Sequence, residues 1–180
     1  NRAKHGGAIT MLNTASLNFF NTAFLENSAL GDGGAVHGRH AHASYNFSTL
    51  GGNTANLGKD LALRQGSDAW LDHTILAEDV PESVIDLSNS TVSLIYSNLV
   101  GGEASITQTG TNNHIYWHEG NIDADPLFVG SGDYPYSLSA SSPCIDAGNL
   151  DTTGMNLPFR DLAGNYRLWD GDGDGDTIVD

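Results

Sequence analysis

Apolar and polar residues along this chain fall into short alternating runs separated by Gly, Asn and Asp. Trp70-Leu71-Asp72-His73-Thr74-Ile75-Leu76 and Thr91-Val92-Ser93-Leu94-Ile95-Tyr96-Ser97-Asn98-Leu99 are two of them. Alternation of this kind between turn residues predicts half-buried strands, and most of the chain lacks the spacing of an amphipathic helix. The runs also recur. Gly6-Gly7-Ala8-Ile9 returns as Gly33-Gly34-Ala35-Val36, 27 positions on. Phe24-Leu25-Glu26-Asn27-Ser28-Ala29 aligns with Leu50-Gly51-Gly52-Asn53-Thr54-Ala55 at a shift of 26.

Several repeat architectures have units of this size. Leucine-rich repeats need several Leu per unit at fixed spacing, and helical repeats need amphipathic segments of ten or more residues; the chain has neither. The repeat instead predicts an all-β fold, a right-handed parallel β-helix whose coils stack about 4.8 Å apart. Equivalent residues then form columns. Asn27 and Asn53 share one, where their amides can pair from coil to coil, and the paired glycines turn the corners. Coils are expected over 1–120, an irregular closing region over 121–169, and an Asp/Gly segment over 170–180.

Composition narrows the partners. Against 22 Asp and Glu stand 7 Lys and Arg, a formal charge of -15, which repels phosphate backbones and anionic membranes. Nucleic-acid binding is therefore not expected. No run is long and apolar enough for a membrane span. The single Cys144 excludes an internal disulfide and a Cys-built zinc site. A start at Asn1 that leads almost at once into a repeat is expected of a processed product or an excised piece.

Two sets of residues resemble known families. The Gly-Gly-Ala-Ile/Val runs and Phe24-Leu25-Glu26-Asn27 resemble the short repeats of polymorphic outer-membrane proteins. Three blocks resemble the closing motifs of bacterial surface β-helices called choice-of-anchor Q domains: Asn121-Ile122-Asp123-Ala124-Asp125-Pro126-Leu127-Phe128, Tyr136-Ser137-Leu138 and Ser142-Pro143-Cys144-Ile145-Asp146-Ala147-Gly148. Arg160-Asp161-Leu162-Ala163-Gly164-Asn165-Tyr166-Arg167 continues the likeness. In that family Ala usually stands where this chain has Cys144, and an apolar closing strand follows the acidic tail; its absence here suggests truncation at Asp180. The resemblance implies a secreted or cell-surface β-helix and no catalytic mechanism. Asp123 and Asp125 could be taken for a catalytic carboxylate pair, but the resemblance places Asp125-Pro126 in a structural turn, and Asp146 likewise.

Asp170, Asp172, Asp174, Asp176 and Asp180, interleaved with Gly171, Gly173 and Gly175, suggest an EF-like calcium loop. Two carboxylates about 4 Å apart repel by about 4 kcal/mol at an effective dielectric of 20. A cation taking six to eight oxygens removes that conflict. The acidic twelfth ligand of an EF-hand is missing, and a solvated acidic tail is the plainer alternative.

Other candidates have structural readings beside them. His37, His40 and His42 invite a zinc site, yet only His40 and His42 share a strand face, so solvated turn histidines are expected. His114, Tyr116, Trp117 and His118 form either a sugar-stacking patch or the closing end of the core. Cys144, between Pro143 and Ile145, reads as a small buried hydrophobe. The sequons at Asn46 and Asn89 would matter only in a eukaryotic secretory pathway.

These observations lead to a non-enzymatic extracellular module, a stalk, adhesin or assembly subunit stiffened by calcium. Its partner would be a glycan, a surface protein, or a second copy stacked end to end. The competing reading is a polysaccharide lyase or glycoside hydrolase. Arg39 or Arg64 would then serve as base beside Asp60, Asp68 or Asp72, and Arg and carboxylates would converge on one face.

Overall fold

The computed structural model describes residues 1–78, 82–169 and 178–179. Strand makes up 41% of it and helix 2%, and the strands stack as a β-solenoid of about 5 turns. The parallel β-helix expected from the repeat is the fold. The chain divides into two compact units, Asn1–Asp123 and Ala124–Asp180.

Three parallel sheets wall the first unit. One contains β2 (Ile9–Leu12), β6 (Val36–Arg39), β9 (Leu61–Arg64), β12 (Ile85–Ser88) and β15 (Ile106–Thr109). The second contains β3 (Ser16–Phe20), β7 (His42–Asn46), β10 (Asp68–Asp72), β13 (Thr91–Ile95) and β16 (His114–Trp117). The third contains β4 (Ala23–Leu25), β8 (Thr49–Gly51), β11 (Ile75–Ala77) and β14 (Asn98–Leu99). A short pair joins β1 (Arg2–Ala3) to β5 (Ser28–Ala29). In the second unit β17 (Leu168–Trp169) pairs antiparallel with β18 (Ile178–Val179).

Register follows the repeat. Phe24 pairs with Leu50, and Ile9 with Val36. The step is 26 residues from His42 to Asp68 and shortens to 23 from Thr74 to Ser97, which is why the repeat fades in the later coils. Strand alternation sends every second side chain inward. Leu61, Ile85, Leu63 and Leu87 stack from one wall; Tyr45, Leu71 and Leu94 from the second; Leu50, Leu76 and Leu99 from the third. All are buried, and Phe19, Phe24 and Tyr45 fill the wider early coils with ring contacts of 5.0–6.1 Å.

The corners are where sheet hydrogen bonding breaks, so their amides need other acceptors. Each coil supplies one to its neighbour. Asn27 N–H donates to Asn53 Oδ1 (2.9 Å) and Asn53 N–H to Glu78 Oε1 (2.9 Å). At a second corner Thr74 N–H donates to Ser97 Oγ (3.1 Å) and Ser97 N–H to Asn121 Oδ1 (2.9 Å). At the third, Ala41 N–H donates to Ser67 Oγ (3.1 Å) and Ser90 N–H to Asn113 Oδ1 (3.2 Å). The expected Asn27–Asn53 ladder is thus one of three.

Corner geometry also forces left-handed backbone on non-glycine residues. Asn21, Phe47, His73 and Tyr96 occupy one corner with φ of 49°, 51°, 49° and 44° in turn. Such a conformation costs roughly 1–2 kcal/mol for a residue with a Cβ. Ring contacts offset it: Phe47 lies 5.1 Å from His73, and His73 lies 5.3 Å from Tyr96 with planes at 19°.

Candidate functional site

The glycine turns that open each coil bring the chain back on itself. Gly6 and Gly33, at φ 60° and 71°, occupy equivalent positions, with Gly6 N–H donating to Asp32 C=O (3.0 Å). A Cβ on Gly6 would meet Ile9 C=O at 2.0 Å, so only glycine fits. The residues just before these turns, His5 and Asp32, therefore stand one above the other. The turn also brings the second strand residue beside the residue that precedes it, as the bond from Thr10 Oγ1 to His5 C=O (2.8 Å) shows in the first coil. In the next coil the same geometry puts His37 beside Asp32.

His5, Asp32 and His37 each offer a ligand atom, all within 4.8 Å of one another. The imidazoles lie 5.3 Å apart. His5 is half-buried, its Nδ1 accepting a long bond from Asp32 N–H (3.3 Å). His37 is 9% exposed, and its Nδ1 has no hydrogen-bond partner. Burial lowers the His37 pKa, helped by His5 and Arg64 and opposed by Asp32. In register with His37 the next coil carries the small Ala62, and the one after that Asp86.

Arg64 fills the remaining space. Its Nη2 meets Asp86 Oδ2 at 2.6 Å and Asp32 Oδ2 at 3.1 Å, while Nη1 donates to the carbonyls of Leu63 (3.2 Å) and Asp86 (3.0 Å). Asp86 is fully buried and its carboxyl pKa is raised by desolvation against the opposing pull of Arg64. Arg and carboxylates do converge on one face, as a lyase would need, but with different partners from those expected. Arg39 is in register with Arg64, yet it is exposed and donates to Gln65 Oε1 (2.7 Å). Asp60 is buried with Asn53, Asp68 pairs with His42, and Asp72 pairs with His73 (2.6 Å). The Arg64 side chain is 14% exposed and its guanidinium is bonded on both arms, which is a poor state for a general base.

The three neighbouring histidines do not act together. His40 sits at the corner with φ 50°, between His37 in β6 and His42 in β7, so the strand alternation expected for 40 and 42 does not apply. His40 and His42 are exposed, whereas His37 is buried. What sequence reasoning missed was His5. The signal was present, because His5-Gly6-Gly7 and Asp32-Gly33-Gly34 are the same position of the repeat.

A second constellation lies on the outer face of the second sheet. Trp70, Ser93 and Tyr116 are in register, with Ser44 and Asn18 on the earlier coils. Trp70 and Tyr116 are 41% and 51% exposed. His118 lies 5.4 Å from Trp70 and 6.2 Å from Tyr116, and His114 is 6.3 Å from Tyr116, the last two pairs stacked. Trp117 faces the other way and packs against the core. Of the four residues singled out from the sequence, Trp117 packs against the core while His114, Tyr116 and His118 are exposed.

Asp123 Oδ1 accepts Gly101 N–H (2.7 Å), and Asp125 Oδ1 accepts Leu127 N–H (2.9 Å); each holds a turn. Cys144 is buried, its amide donating to Ser142 Oγ (3.1 Å), and burial pushes the thiol up to about 11, so it stays protonated and unreactive at neutral pH. Asp170, Asp172, Asp174, Asp176 and Asp180 lie outside the described residues. Among the described residues no helix is long and apolar enough to cross a membrane. Comparison with protein-family models, curated proteins and solved structures finds no match to this chain.

Proposed function

We propose that this chain is a non-enzymatic extracellular β-helical module, a stalk or adhesin that takes a glycan on the outer face of its second sheet. The observation that carries the reading is the strip Trp70, His118, Tyr116 and His114. Flat exposed rings stack on the C–H faces of sugar rings, and Asn18 and Ser44 beside them supply hydrogen-bonding groups for hydroxyls. The acidic charge favours a neutral or basic glycan over an anionic one. The engaged state of Arg64 supports a binding rather than a lyase role. The likeness to choice-of-anchor Q closing motifs supports a surface location, and calcium at the Asp170–Asp180 segment is the proposed means of stiffening that end.

The test is a glycan microarray probed with the labelled chain in calcium-containing buffer, followed by calorimetry on the best neutral oligosaccharide. Binding should fall at least about tenfold in Trp70→Ala and in Tyr116→Ala, the scale of an interface anchor, and stay unchanged in Phe159→Ala, on the other unit. Absence of any glycan signal, or equal affinity in all three variants, would overturn the proposal.

A further inference from the structure

We propose that His5, Asp32 and His37 form a binding site for a first-row divalent transition-metal ion, on the face formed by the first sheet. The donor set is two imidazoles and a carboxylate, which suits zinc, nickel or copper, whereas calcium prefers six to eight oxygens. Three such ligands are what a protein supplies when it leaves a fourth position open to water or another ligand. The inference stands apart from the glycan reading, since it uses a different sheet and different residues.

Geometry brings the donors close without closing the site. The ligand atoms lie within 4.8 Å of one another, and on a tetrahedral zinc ion with 2.0–2.1 Å bonds they would sit about 3.3 Å apart. Side-chain movement of about 1.5 Å or less completes the approach. The buried, unpartnered Nδ1 of His37 is the independent sign of a ligand, because a buried polar atom without a partner is costly. His5 gives up little, only the long 3.3 Å bond from Asp32 N–H.

The surroundings are organised in the same sense. Metal-ligating carboxylates are usually fixed by a hydrogen bond from outside the coordination sphere, and Arg64 holds Asp32 Oδ2 at 3.1 Å. Asp86 engages the same guanidinium at 2.6 Å, so the Arg64 charge is not directed at Asp32 alone. Gly31 leaves room for the His5 ring: a Cβ there would meet its Cε1 at 2.6 Å and Nδ1 at 2.7 Å.

Calorimetric titration of the full chain with zinc chloride, with calcium in excess to occupy the acidic tail, reads the site directly. One zinc ion per chain should bind, and the cobalt(II)-loaded chain should show visible ligand-field absorption. His5→Gln and His37→Gln should each weaken zinc binding at least about tenfold, with metal-free melting temperatures checked to confirm folding. Gly31→Ala, which keeps every ligand but displaces the His5 ring, should weaken it too, and it serves where a Gln variant fails to fold. His42→Gln and His114→Gln should bind as the parent does. No zinc uptake by the parent chain would overturn the proposal; so would unchanged affinity in the His5 and His37 variants, or an equal loss in the His42 control.

Discussion

In the solenoid Asn53 ties together residues a full coil apart, whereas in the C-terminal unit Asp161 reaches only to Asn165. Asn53 Oδ1 accepts both Asn27 N–H (2.9 Å) and Asn27 Nδ2 (3.1 Å), and its own Nδ2 donates to Phe24 C=O (2.8 Å) and Asp60 Oδ1 (2.7 Å). Asp161 accepts Asn165 N–H (2.7 Å) and Asn165 Nδ2 (3.0 Å). Other bonds of the second unit are equally local, such as Asn149 to Asp151 and Asp151 to Thr153. Apolar burial differs in parallel: Leu61, Leu71 and Leu87 are fully buried, while Leu150 and Phe159 are 71% and 73% exposed. In a solenoid, each coil meets the polar needs of its neighbour, so stability is spread along the axis. The second unit, without that repetition, finds its partners nearer along the chain, and it leaves large apolar side chains such as Leu150 and Phe159 exposed.

The comparison is most severely strained at Arg64, where one side chain serves acids from two other coils. Arg64→Met leaves Asp86 fully buried without its cation and should cost about 3–5 kcal/mol in urea unfolding. Adding Asp86→Leu should restore most of that loss, because an apolar pair avoids the desolvation that the charges incur. A loss below about 1 kcal/mol in the single variant would mean that the pair is not holding the coils.

Paired substitutions sharpen the contrast at smaller scale. Asn53→Ala strands several buried donors and acceptors at once and should cost about 2–4 kcal/mol, whereas Asp161→Ala, whose partners can turn to water, should cost about 0.5–1 kcal/mol. Equal costs for the two would show that the ladder adds nothing beyond an ordinary turn.

Most of the solenoid was legible because its determinants are local and repeated. Gly6-Gly7 and Gly33-Gly34 mark the turns, Asn27 and Asn53 mark a corner column, and the alternation in 70–76 and 91–99 marks strands. The later coils were harder to read because the step drops to 23 residues. The mixed Ser and Asn ladders were harder still: Ser67, Ser97 and Asn121 are ordinary surface residues by composition and acquire their role only from the neighbouring coil. The His5, Asp32 and His37 cluster needed two facts together, that positions before successive glycine pairs superpose and that the turn returns residue 37 to residue 32. The acidic partners of Arg64 were misread for a related reason. Asp60 lies on the chain just before β9 but points to Asn53, while Asp86, 22 residues after Arg64, is the carboxylate that meets the guanidinium.

The smallest effect expected concerns the same buried corner, and its sign is what matters. Asp60 is fully buried, and its pKa is raised well above 3.8, first by desolvation and then by the Glu78 carboxyl beside it, against the bond from Asn53 and the more distant Lys59. Tyr45, also buried, faces the same group. The folded chain therefore holds a proton that the unfolded chain releases once pH exceeds about 3.8, and stability conferred by this proton is full below that pH and lost as pH rises through the folded value. Asp60→Asn keeps the shape of the protonated acid and removes its titration. General repulsion at a net charge of -15 acts on both proteins alike, so the informative quantity is the difference in melting temperature, variant minus parent, between about pH 4 and pH 8. That difference should rise with pH. Parallel melting curves would mean that Asp60 holds no proton in the folded chain and that the stabilising proton, if there is one, belongs to Glu78 beside it.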